Sequence, residues 1–129
     1  MRAYPPLMPW RLLITVVAVL CTANAVRAEG DAAKGRALAE KHCARCHVVG
    51  DFNKFGGIGS TPSLQGIKYL KDWRDRFQTF YARRPHPAFV QVKGIAPPTK
   101  LPPYATPVEL LPENVFDILA FAETLKAPK

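Results

Sequence analysis

Cys43-Ala44-Arg45-Cys46-His47 is the stretch on which the reading of this chain turns. Two thiols separated by two residues, with an imidazole immediately after, form the attachment signature for c-type haem. The spacing has a chemical reason. The thiols must reach two vinyl groups on one edge of a porphyrin and form thioethers there. The next residue must then turn beneath the ring and offer a nitrogen to the iron. Cys43 and Cys46 are thus the expected covalent anchors of one haem c, and His47 the expected proximal ligand. A dithiol redox pair would sit beside a βαβ pattern, and none is seen. A four-ligand zinc site would need two further ligands at short spacing. Beyond residue 28 and outside the motif, the remaining histidines are His42 and His86, and no cysteine is left.

Upstream of the motif, residues 1–28 read as a secretory signal. Arg2 and Arg11 supply a positive start, Leu12 to Leu20 form an apolar run too short for an ordinary membrane span, and Val26-Arg27-Ala28 offers a small-residue cleavage pattern. Cleavage after Ala28 removes Cys21, so both cysteines that remain belong to the motif. Export predicts a periplasmic protein, with membrane attachment only if the signal stays uncleaved. Residues 29–129 are sized for one domain. The chain carries a net charge of +8, and Arg2, Arg11 and Arg27 fall in the signal, leaving a domain that is still basic. That balance suits encounter with a redox partner that presents an acidic surface. Nucleic acid is not expected, because Lys and Arg are scattered, with Arg83-Arg84 the adjacent pair. A monomer is expected.

Three helical stretches are expected around the motif. Asp31 is a suitable N-cap for a helix that carries Gly35, Leu38, Ala39 and His42 on one face and delivers the chain into Cys43. Gly35 costs helix stability, which a close helix crossing would explain. Residues 48–61 read as a glycine-rich loop. Residues 68–82 carry an aromatic stripe (Tyr69, Trp73, Phe77, Phe80, Tyr81) at helical spacing, stopped by Pro85 and Pro87. Eight prolines between Pro85 and Pro112 predict a long, stiff loop with neither strand nor helix. A last helix is expected from Pro112 to Leu125, with Val115, Ile118, Leu119 and Ala122 on its apolar face. The expected fold is therefore all-α: three main helices around one covalently bound haem, with a long proline-rich loop.

With these residues in place, residues 29–129 resemble the class I, mono-haem c-type cytochromes over nearly their whole length. Gly35 stands eight residues before Cys43, as the family's helical glycine does, while Ala39 replaces the aromatic residue usual four positions on. Leu119-Ala120-Phe121 through Leu125 is similar to the family's C-terminal helix. The resemblance implies that these helices cross and that Gly35 meets Phe121. It also implies that Thr61-Pro62-Ser63-Leu64 supplies a backbone carbonyl at Pro62 to orient His47.

The departure concerns the sixth iron ligand. The family normally uses a methionine, yet this chain has Met1 and Met8 alone, both in the signal. Several arrangements stay open: His86 as a distal ligand, an open or water-bound position under Leu101-Pro102-Pro103-Tyr104, Lys93 or Lys100 as a neutral amine, or a ligand from another molecule. Otherwise His86 is a surface or propionate-contacting histidine. The resemblance implies a one-electron carrier and not an enzyme. A vacant sixth site would instead suit small-ligand sensing or weak peroxidase chemistry, with Arg83, Arg84, His86 and Tyr104 as candidate distal groups.

Overall fold

A computed structural model describes residues 29–98 and 106–127, with Met1 besides. Apart from Met1, the signal expected over residues 1–28 lies outside the described residues, as do Lys100, Leu101 and Tyr104. Among the described residues, four α-helices and two short strands frame the domain: α1 (Ala32–Leu38), α2 (Leu64–Ile67), α3 (Trp73–Gln78), β1 (Val90–Val92), β2 (Val108–Leu110) and α4 (Pro112–Thr124). No described helix is long and apolar enough to cross a membrane.

Helices α1 and α4 form the frame. The Asp31 carboxylate caps α1 by accepting from the N–H groups of Ala33 and Lys34, which are donors the first turn leaves without partners. Its own N–H donates to buried Asp117 of α4 at 2.7 Å. Gly35 lies so close to α4 that a Cβ there would stand 1.8 Å from the Asp117 carbonyl oxygen. What Gly35 approaches first is the α4 backbone at Asp117 and Ile118, one turn before Phe121, the partner the resemblance implies, because a glycine lets main chain meet main chain where a side chain would hold it off. Ala39 is fully buried, and with Phe121, Ala122, Ile118 and Val115 it belongs to the core.

The aromatic helix expected over 68–82 is broken into pieces. Tyr69, Leu70 and Trp73 close i→i−3 turns, and the Asp72 carboxylate pairs with Arg76 rather than capping a longer helix. Thr79 stops α3, its hydroxyl donating back to the Asp75 carbonyl, a competition that weakens helices locally. Phe80–Ala82 and His86–Ala88 are single 3₁₀ turns, and the Arg84–Pro85 bond is cis.

The proline-rich segment also differs from the expected unbroken loop. Val90–Val92 pairs in parallel with Val108–Leu110, Val92 standing opposite Leu110, and both of those residues are buried. Neither triplet contains proline, so its N–H groups are free to pair. Three residues are too few to show alternation in sequence, and the partner strand is distant along the chain. The domain is helical with a small parallel bridge, not purely α.

Candidate haem site

The site begins where α1 changes pitch. From Ala39 to Cys43 the helix widens into a π-turn, with the Ala44 N–H reaching back to the Ala39 carbonyl at 3.1 Å. Such single turns commonly re-aim a chain at functional positions. The Cys46 and His47 N–H groups both donate to the Cys43 carbonyl, at 3.0 and 2.8 Å, so the motif is one tight turn. Both thiols are free and half-buried. Burial pushes the Cys43 thiol up to about 11, and neighbouring Cys46 adds to the shift.

Residues far along the chain lace this turn in place. Asn53 donates from its amide to the carbonyls of Ala44 and His47, at 2.9 and 2.8 Å, and accepts from the Val49 N–H at 2.7 Å. Gly57, at φ +80, passes so close that a Cβ would lie 3.1 Å from the His47 backbone. The Leu64 N–H donates to the Val48 carbonyl, and the Gly50 N–H to the Gln65 side chain. These bonds hold residues 61–65 alongside residues 47–50. Ser63 caps α2, its hydroxyl accepting from Gly66, and immediately before it the Pro62 carbonyl oxygen lies 2.7 Å from His47 Nδ1. With Nδ1 donating there, Nε2 is the ring nitrogen with a lone pair to give.

The second histidine reaches the same place from the opposite half of the chain. His86 Nδ1 lies 3.0 Å from the Arg83 carbonyl oxygen, and the Phe80 ring stands edge-on to it at 5.5 Å. Burial lowers the His86 pKa; the Arg83 carbonyl opposes this, and the nearby His47 ring adds to the lowering. The net effect keeps the imidazole neutral, the form that can ligate a metal. His47 and His86 have ring centres 6.0 Å apart and planes 3° from parallel.

The other candidates stand elsewhere. His42 sits half-buried on the π-turn, its pKa lowered by burial and then by the charge of Lys41. Lys93 is exposed on the turn after β1, and Arg84 is exposed. The Arg83 guanidinium is engaged by Thr79 Oγ1 at 2.9 Å and Asp75 Oδ2 at 2.5 Å. Among the described residues, no three His, Cys, Asp or Glu side chains gather as a metal-ion cluster. Asn53, Gln65, Asp75, Thr79 and Asp117 escaped sequence reading. Only Asn53 carried a signal, as a turn-forming amide in the loop that follows the motif.

Two thiols and an imidazole share one turn, backed by the packed helices α1 and α4. The sequence model of the cytochrome c family matches residues 32–126, and the chain belongs to that family. Neither the curated proteins nor the solved structures compared with it give a match. Family membership makes it a haem-binding protein of the electron-carrier type. The donors fit that group. A metal–imidazole bond is about 2 Å long and the ring centre lies about 1 Å behind the nitrogen, so two axial imidazoles on one metal have centres about 6 Å apart. The His47–His86 spacing agrees with that value.

Proposed function

We propose that this protein is a periplasmic one-electron carrier with a single haem c, which Cys43 and Cys46 would anchor and His47 and His86 would ligate. The observation that carries the axial pair is the two parallel imidazoles, each with Nδ1 directed at a backbone carbonyl. Haem bound here supplies a one-electron iron couple. The chain's part is to keep both imidazoles fixed, so that little moves when the charge changes. The Pro62 carbonyl strengthens His47 as a donor, and the Arg83 carbonyl does the same for His86. Two imidazoles in place of imidazole and thioether predict a potential below that of a His/Met centre, since methionine is the ligand that raises it.

The optical spectrum of the ferrous protein, with and without carbon monoxide, tests this reading. The expected result is a low-spin spectrum that carbon monoxide leaves unchanged. Rapid, complete formation of a carbonyl adduct would favour a vacant sixth site, hence a small-ligand sensor or weak peroxidase. His86→Ala should convert the spectrum to high-spin and open the site to carbon monoxide; no change on substitution removes His86 as the ligand. The partner we propose is a redox protein with an acidic face, met through this chain's basic rim. Its association should slow as ionic strength rises, over the ~10 Å screening length of 0.1 M salt, whereas a salt-independent on-rate would refute that docking mode.

A further inference from the structure

The main-chain carbonyls facing the two imidazoles are held very differently, and the distal one has a side-chain clamp of its own. Pro62 is fixed by the lacing around residues 47–65. Arg83 is fixed by its own side chain: Nε donates to Thr79 Oγ1 and Nη2 pairs with Asp75, while the Thr79 hydroxyl donates to the Asp75 carbonyl at 2.7 Å. The Arg83 N–H donates to the Phe80 carbonyl at 2.9 Å. The Arg83 carbonyl then receives the His86 backbone N–H at 2.9 Å and faces the His86 ring at 3.0 Å. Phe80, from the same turn, lies with its plane 80° to the imidazole. Hydrogen bond and wall together leave the ring little rotation about its Cβ–Cγ axis.

Resting on His86 as the second axial ligand, we infer that this chain sets its two axial imidazoles parallel, and that Arg83, clamped by Asp75 and Thr79, is the positioning residue for the distal ring. The physical consequence is electronic. Parallel imidazoles direct their π-donor orbitals along the same direction and so split the iron's two π-type d orbitals strongly. Perpendicular rings act on one orbital each, and the splitting nearly cancels. A side chain that never touches the metal thereby selects its ligand field, as outer partners of metal-bound histidines do elsewhere.

Frozen-solution electron paramagnetic resonance of the ferric holoprotein reads this directly. The intact protein should give a low-spin, well-resolved three-line rhombic signal. Thr79→Val, Asp75→Asn and Arg83→Leu should each weaken that signal in favour of a single line at larger g, with Arg83→Leu the strongest. Arg83→Lys, which keeps a cation for Asp75, should recover part of it. Asp75 is exposed, so its substitution leaves the core packed and separates ring orientation from folding. A high-spin signal in the intact protein would overturn the axial pair itself. A low-spin signal with a single large-g line would leave the axial pair standing and overturn the parallel arrangement. A rhombic signal unchanged in all three clamp variants would overturn the role of Arg83.

Discussion

The two sides of the site are built by opposite strategies. Around His47, the hydrogen bonds join residues well apart in sequence: Pro62 to His47, Gln65 to Gly50, Leu64 to Val48. Around His86, nearly every bond stays within a few residues: Arg83 to His86, Phe80 to Arg83, Thr79 to Asp75 and to Arg83. A ring held by distant segments keeps its place only while the whole domain is folded. A ring held by a local turn can be re-aimed by one substitution without unfolding anything else. If haem is held as proposed, the His47 side would set whether it stays and the His86 side how the iron behaves.

Three substitutions bear on that contrast. The largest effect belongs to the frame beneath both sides. Gly35→Val would drive a side chain into the α4 backbone, where a Cβ already meets the Asp117 carbonyl at 1.8 Å, and should destabilise the fold by more than ~3 kcal/mol. Thermal unfolding measures this, and a melting temperature within a few degrees of the parent would mean the helices can part freely. Next, Asn53→Ala strips a partner from the buried Val49 N–H and from two motif carbonyls. A loss of ~1–3 kcal/mol and a lower yield of covalent haem are expected. Full haem incorporation in that variant would mean the motif turn keeps its shape without Asn53. The smallest effect on stability is expected at Phe80→Leu, ~1 kcal/mol, with haem content unchanged and the ligand-field spectrum altered. If haem content fell while the spectrum held, the division between the two sides would be reversed.

The sequence was informative in proportion to how local each feature is. The motif turn, the Asp31 cap and the C-terminal helix starting at Pro112 were legible because each is decided by neighbours within a turn. The aromatic stripe suggested one helix, since spacing reports which side chains face the core but not whether Thr79 will bond back and end the run. The strands Val90–Val92 and Val108–Leu110 had no periodic signature, because each is stabilised by the other across a long stretch of chain.

By itself the sequence determined the chemistry: two thiols and an imidazole at fixed spacing, no methionine beyond the first eight residues, and a basic domain. The tertiary structure decided the geometry. It set Gly35 against the Asp117 carbonyl, brought Pro62 to His47, and stood His86 parallel to His47 from a turn 39 positions downstream. The reason is physical: a residue's donor atoms are fixed by its identity, whereas their direction depends on carbonyls and rings that only folding brings alongside.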